Sequence, residues 1–367
     1  MKIRFLSALT VIVLLLTTLG GCIMPEDTLT DGTTADTSDS VSVPENSSFA
    51  VHFIDVGQAD AALIVCAGQT MLIDGGNAED SNLIYSYLQK QKITHLDYVV
   101  CTHAHEDHVG GLSGALTAAT VGTVLAPVTD YDSKIFQNFV AKARERGREI
   151  TVPRAGDVYQ VGDATVTVLG PQKAYDETND TSIVLRVVFG KTSFLFTGDM
   201  ESSAEKDLLE AGVELKSTVL KVGHHGSTTS TSYQFLRAVA PTYGVISVGT
   251  DNQYDHPNED VLSRLRDADV TLYRTDLQGD IICTSDGANV TFTTQKKSDQ
   301  PINPTEPDKS GSGDASVTEY AYIGNLNTKT YHLPTCSHLP AEKNRIYFTT
   351  KEEAIEHGYT ACGSCKP

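Results

Sequence analysis

Thr102-His103-Ala104-His105-Glu106-Asp107-His108-Val109-Gly110-Gly111 is the most informative segment of the chain. It follows an apolar run, residues 96–101, with the length and composition of a strand. Three imidazoles and the Asp107 carboxylate then fall within residues 103–108. In an extended segment positions i and i+2 face the same side, so His103 and His105 can grip one ion. The chain then turns, and Asp107 and His108 can reach a second ion close by. Gly110 and Gly111 permit a tight turn and close backbone approach as a helix begins. Imidazole and carboxylate are the usual ligands of zinc and also suit manganese. A histidine-rich surface loop is the plainer interpretation, and the spacing argues against it.

Outward from this stretch, strand and helix patterns alternate. Residues 49–58 read as a strand ending in a turn; 61–65 and 70–73 read as the next two strands, closing on the turn signal Asp74-Gly75-Gly76. Residues 82–91 predict a helix. Later strand and helix pairs are 121–126 with 134–146, 192–196 with 201–210, 218–222 with 233–240, and 245–248 with 259–267. Such a series predicts an α/β fold of sheets covered by helices.

Two of these strands end in further ligand types. Phe194-Leu195-Phe196-Thr197-Gly198-Asp199 closes on a carboxylate whose two oxygens suit a bridge between ions. A helix cap is the plainer use of Asp199, and the histidine motif favours the metal role. Val219-Leu220-Lys221-Val222-Gly223-His224-His225-Gly226-Ser227 offers one ligand, with His224 preferred, and one neighbour for proton transfer or phosphate contact. His256, before Pro257, opens a helix pattern whose amino end attracts anions; it faces a substrate phosphate or is a capping or buried residue. Ser227, Thr228 and Ser230 bond phosphate oxygens or cap the helix near Tyr233. His52 and His95 read as structural, and Cys66, Cys101 and Cys283, in apolar runs, as buried free thiols.

The H-x-H-x-D-H spacing of residues 103–108 resembles the signature of the metallo-β-lactamase superfamily. The resemblance implies a four-layer αββα sandwich with two divalent ions, zinc or manganese, between the sheet edges. It makes Asp74 a residue that orients a ligand, where a plain turn residue is the alternative. Many superfamily hydrolases place another histidine before the bridging aspartate. Here no histidine lies between His108 and His224, and Asn179-Asp180-Thr181-Ser182 sits in its place, which puts Asn179 or Asp180 near the vacant ligand position.

Asp55-Val56-Gly57-Gln58, Asn179-x-x-Ser182, Leu195-Phe196-Thr197-Gly198-Asp199, His224-His225-Gly226-Ser227 and Tyr254-Asp255-His256-Pro257 are together similar to one group. That group is the extracellular metallo-β-lactamase domain of ComEC-type DNA-uptake channel proteins. Arg274-Thr275-Asp276 and Gly279 fit the same pattern, while Ala59 departs from a usual glycine. A lipid tether is expected in place of the multi-span channel of that family.

At the amino end, Lys2 and Arg4 precede an apolar run over 5–19, short for a membrane span and suited to a signal peptide. Leu19-Gly20-Gly21-Cys22 resembles the bacterial lipoprotein box, which implies lipidation of Cys22 after processing of residues 1–22. The expected location is the cell membrane, lipid-anchored, on the extracytoplasmic face. Residues 23–48 hold six acids and no base, and read as a disordered tether. The hydrolase domain is expected over 49–295 and a second linker over 296–316, rich in Pro, Ser, Lys and Asp.

Residues 317–367 read as a small module. His332-x3-Cys336 and Cys362-x2-Cys365 give four soft ligands at zinc-site spacing. A module this small has little core, so a structural zinc is expected. A disulfide from Cys336 to Cys362 or Cys365 is the alternative for an exported protein. Asn344-Arg345, Phe348, Glu353-Ala354, Gly358-Tyr359, Cys362-x2-Cys365 and Lys366-Pro367 resemble the zinc module of the Ada DNA-repair protein, with His332 where that family has cysteine.

Three functions compete. The first is a dinuclear phosphodiesterase that acts on extracellular DNA, with Asp107, Asp199, His225 and His256 as catalytic candidates and Asp107 orienting the attacking water. The second acts on a small or cell-wall phosphodiester, such as a phosphocholine ester. The third is a non-catalytic DNA-binding lipoprotein, which the intact metal ligands argue against. A formal net charge of -19 opposes non-specific contact with nucleic acid and favours the second, while the ComEC-type resemblance and the zinc module favour the first, which is the expected function. A β-lactamase activity fits poorly, because the third-histidine position is vacant.

Overall fold

The computed structural model describes residues 49–304, 321–336, 338–341 and 344–367. Cys22, the 23–48 tether and residues 305–316 of the expected linker lie outside the described residues.

The first sheet contains β1 (Phe49–Phe53), β2 (Ala62–Cys66), β3 (Gln69–Ile73), β4 (His95–Val100), β5 (Thr120–Leu125) and β6 (Ile150–Thr151). The second contains β7 (Val158–Val161), β8 (Ala164–Gly170), β9 (Val184–Phe189), β10 (Thr192–Phe196), β11 (Val219–Lys221), β12 (Tyr243–Ile246) and β13 (Thr271–Arg274). The chain then returns to the first sheet with β14 (Ile281–Ser285) and β15 (Val290–Thr294). The strand orders are β15-β14-β1-β2-β3-β4-β5-β6 and β13-β12-β11-β10-β9-β8-β7. Strands β3 to β6 and β10 to β13 run parallel within their sheets.

All five residues of β1 are buried, because helices cover one face of its sheet and the other sheet covers the opposite face. Such strands read as apolar runs rather than strict alternation. Between the sheets Phe49 meets Phe189 and Phe194, and Phe53 stacks on Phe196. The outer face of the first sheet is covered by α1 (Ser81–Lys90), α3 (Leu112–Ala118) and α4 (Lys134–Glu145), after the single turn α2 (Glu106–Val109). In α4, Phe136, Phe139, Val140 and Ala143 recur at helical spacing and form its buried stripe. The second sheet is covered by α5 (Ser202–Ala211), α6 (Tyr233–Val239) and α7 (Glu259–Asp267), with Leu208, Phe235, Leu236 and Leu265 inward. The result is the expected four-layer αββα sandwich.

Local differences have local causes. The strand expected over 245–248 runs Tyr243–Ile246, because the Val248 N–H leaves the ladder for Thr275 Oγ1 at 2.9 Å. Part of the expected linker is fixed to the sandwich: Arg266 donates to Asn303 Oδ1 and to the Pro304 carbonyl, both at 2.7 Å. His52 is buried in β1 with Nδ1 2.9 Å from Tyr87 OH, and burial pushes its pKa down to about 4. Cys66, Cys101 and Cys283 are buried free thiols.

The carboxyl-terminal module is a sheet of β16 (Tyr322–Asn325), β17 (Thr330–His332), β18 (Arg345–Phe348) and β19 (Thr360–Ala361), with α8 (Lys351–Glu356). Its strand order is β18-β16-β17-β19, and its core is Tyr331, Phe348, Ala354 and Tyr359. It rests on the carboxyl end of α7. Asn325 Nδ2 donates to Asp267, Ser364 Oγ donates to Asp269, and the Ala341 N–H donates to Ser263 Oγ at 2.7 Å.

Candidate metal centre

Ligand-type side chains gather beyond the carboxyl ends of parallel strands, the usual place for a site in an α/β sheet. β3 delivers Asp74, β4 delivers His103, His105, Asp107 and His108, β10 delivers Asp199, and β11 delivers His224 and His225. Gly111 lets the histidine loop lie against the turn after β3: a Cβ there would stand 1.9 Å from the Gly75 carbonyl oxygen.

One carboxylate oxygen is central. Asp199 Oδ2 lies 3.2 Å from His108 Nε2, 3.5 Å from His225 Nε2, 3.6 Å from His224 Nε2 and 3.9 Å from His103 Nε2. Asp107 Oδ2 is 3.3 Å from His225 Nε2 and 3.8 Å from His108 Nε2. Asp107, His108, Asp199 and His225 form a group whose ligand atoms lie within 4.8 Å of one another. On the other side of Asp199, His103 Nε2 stands 3.1 Å from His105 Nδ1. The helix-cap alternative for Asp199 does not apply, because the residue before α5 is Glu201.

Neighbours set the tautomers. His108 Nδ1 is 2.9 Å from Asp74 Oδ2, and Asp74 also accepts from the Thr102 N–H and Oγ1 at 2.7 Å each. Asp74 is therefore more than a turn residue. His225 Nδ1 is 3.0 Å from the Ser247 carbonyl. With protons on these Nδ1 atoms, both Nε2 atoms face the cluster. His108 Nε2, His225 Nε2 and Asp199 Oδ1 are buried and have no hydrogen-bond partner. Orphaned ligand atoms aimed at one region are what a bound cation satisfies, so these residues fit divalent metal.

The field agrees. Burial opposes charge on His108 and His225, yet the nearby carboxylates, Asp199 foremost, hold both imidazoles well above the ordinary range. Burial likewise opposes charge on Asp199 and Asp107, and the imidazoles keep both acids below theirs. His103 is pushed well below its usual value by burial and by His108.

Other expected residues fall on the rim, and several expectations are corrected. His225, rather than the preferred His224, belongs to the compact group, while His224 is partly exposed and bonds Thr229 Oγ1 at 3.1 Å. Both histidines have positive φ, 50° and 51°, so strand alternation does not carry through them. Asp180 stays outside the compact group and accepts the Glu201 N–H at 2.9 Å, whereas Asn179 donates through Nδ2 to Glu201 Oε1 at 3.0 Å and keeps a buried Oδ1 without a hydrogen-bond partner. His256 is not at a helix end, since Asn258 caps α7. Its ring lies 5.8 Å from that of His224 and stacks on Tyr254, and burial and the neighbouring histidines lower its pKa to about 4. Ser232 caps α6, and Ser230 is fully buried and donates to the Met200 carbonyl at 2.8 Å.

Two buried residues escaped the sequence reading. Lys221 Nζ donates to Asp60 Oδ2 at 2.8 Å, with both side chains almost fully buried. Asp60 Oδ1 stands 3.2 Å from His225 Nδ1, and the Asp60 N–H donates to the Asp107 carbonyl at 3.1 Å. A lone lysine inside the apolar strand β11 was the available signal; its partner, 161 residues away, had none.

In the module, the ligand atoms of His332, Cys336, Cys362 and Cys365 also lie within 4.8 Å of one another. The three cysteines are free thiols, so no disulfide joins them. Three thiols and an imidazole this close fit zinc.

A metal-binding αββα sandwich of this kind defines a class of metal-dependent hydrolases. The family profile of the metallo-beta-lactamase superfamily matches residues 54–250, and the chain belongs to that superfamily. The metal binding domain of Ada matches residues 310–367. ComE operon protein 3 of Bacillus subtilis is 30% identical over 63% of this chain and 32% of its own length. Competence protein ComA of Neisseria gonorrhoeae is 35% identical over 65% of this chain and 32% of its own. Recombination protein 2 of Haemophilus influenzae is 30% identical over 63% and 28%. These relatives support the ComEC-type subfamily, and the chain spans about a third of their length.

Proposed function

We propose that the chain is a metal-dependent phosphodiesterase acting on DNA, held on the extracytoplasmic face of the cell membrane by a lipid at Cys22. The observation that carries the hydrolase reading is Asp199 Oδ2, which has four imidazole nitrogens within 3.9 Å. Two divalent ions, when bound, supply an activated water and charge against the leaving oxygen. His103 and His105 would hold one, Asp107, His108 and His225 the other, and Asp199 both. Asp107, with its side chain 32% exposed, would orient that water, and His256 and His224 would face the substrate phosphate from the rim.

DNA as substrate is supported by relatives named for competence and recombination. A small or cell-wall phosphodiester is the second reading, favoured by the net charge of -19, which repels a polyanion. The membrane location rests on the Leu19-Gly20-Gly21-Cys22 box.

The test is the purified chain, loaded with manganese or zinc, on labelled single- and double-stranded DNA beside bis-p-nitrophenyl phosphate. Cleavage of DNA supports the reading, cleavage of the small diester alone moves it to the second, and inertness on both refutes it. Cys22→Ala should release the protein from membranes; unchanged partition and mature mass would overturn the anchor.

A further inference from the structure

A cleft of about 300 Å³ is lined by residues of both the sandwich and the carboxyl-terminal module. Ser202 and Thr229 line it from the sandwich. Thr229 Oγ1 is 3.1 Å from His224 Nδ1 and 3.2 Å from Glu201 Oε1, so the cleft opens directly beside the metal centre. Its outer wall is Asn327 and Asn344, both from the module. The floor is Tyr233, with the Arg264 guanidinium 5.7 Å from its ring centroid. Arg264 is itself held by the Ser230 and Thr231 carbonyls at 2.9 and 3.1 Å. Asn344 Nδ2 reaches Tyr233 OH at 3.5 Å, so the two walls are tied together.

We propose that this cleft binds the nucleoside next to the scissile phosphodiester, so that the module completes the substrate groove; this rests on the phosphodiesterase reading. The lining decides the ligand class. It offers hydroxyls, two carboxamides and an aromatic ring, with the Arg264 guanidinium and the Asp260 carboxylate as its charged groups. Carboxamides and hydroxyls pair with base edges and sugar oxygens, and an aromatic ring accepts a base face. A small diester that occupies only the metal centre would not reach Asn327 or Asn344.

The test uses the full metal-loaded chain and its Asn327→Ala, Asn344→Ala and Asn327→Trp variants. Kinetics are measured on a single-stranded oligonucleotide and on bis-p-nitrophenyl phosphate, and binding of a labelled phosphorothioate oligonucleotide by fluorescence anisotropy. Each alanine variant should raise the oligonucleotide KM and Kd about 3- to 10-fold, the effect of one lost hydrogen bond. Asn327→Trp, on an exposed residue that tolerates bulk, should obstruct the cleft and raise both further. Kinetics on the small diester should not change. Oligonucleotide KM and Kd unchanged in all three variants, with wild type active, would overturn the cleft alone. Equal losses on both substrates would also overturn it, since they mark a general defect. A wild type inert on both substrates overturns the phosphodiesterase reading and the cleft with it.

Discussion

Lys221→Met tests whether the buried pair beneath the metal centre behaves as its geometry requires. Lys221 Nζ is 2.8 Å from Asp60 Oδ2, with side-chain exposures of 4% and 7%. Removal of the cation leaves a carboxylate in a dry site, with only partial compensation from His225 at 3.2 Å. Breaking one partner of a buried pair costs about 3–5 kcal/mol. At about 2–4 °C per kcal/mol for a domain of this size, Tm should fall by roughly 6–20 °C. Asp60→Asn with Lys221→Met removes both charges and should recover at least about 2 kcal/mol of the loss. The sign with pH follows from Asp60. Burial opposes its charge, and Lys221 with His225 holds its pKa below the usual carboxylate range. In wild type its contribution is present above the unfolded carboxylate pKa and fades as pH falls through the lowered folded value. In the variant the folded pKa rises, so the deficit should be larger at pH 8 than at pH 5. Urea unfolding of both variants at the two pH values reads this out. A single-variant loss under about 1 kcal/mol, or a double variant no better than the single, would refute the reasoning.

Further predictions concern the two metal sites and the module interface. Asp199→Ala should abolish turnover and lower bound metal together, because in the proposed centre one carboxylate would serve both ions; full metal with full rate would refute the bridge. Chelation should expose residues 321–367 to protease and zinc should protect them again, because metal binding and folding are coupled. Resistance in chelator followed by sensitivity in reductant would instead point to a disulfide. Asp267, buried at the module interface, has its pKa raised from 3.8 to about 7 by burial, against hydrogen bonds from Tyr233 and Asn325. The stability its proton contributes, up to roughly 4 kcal/mol, is complete below pH 3.8 and lost as pH climbs through about 7. Asp267→Asn should flatten that slope and be the more stable protein at pH 8 by thermal unfolding; a less stable variant there would contradict it.

Local chemistry along the chain specifies a good part of the molecule. Apolar runs and helical periods located most of the elements to within a few residues, because each has its own buried face. His103, His105, Asp107 and His108 were legible as ligand types because they crowd one short loop, and the module's four ligands because they come in two close pairs. Relations between distant segments and the effects of irregular backbone emerge only once the chain is packed. The choice between His224 and His225 turned on two left-handed residues, where counting alternate faces no longer works. Asp180 looked available for the vacant position, but the Glu201 N–H engages it, while Asn179 keeps a buried Oδ1 without a partner. Residues 302–304 have a linker's composition, yet Arg266 and Arg274 bind their polar groups to the sandwich. The Asp60–Lys221 pair joins the two sheets across 161 residues, and the cleft exists only because the module rests on α7. Contacts of that kind arise from layers packing face to face, and no periodicity along the chain encodes which residues will meet.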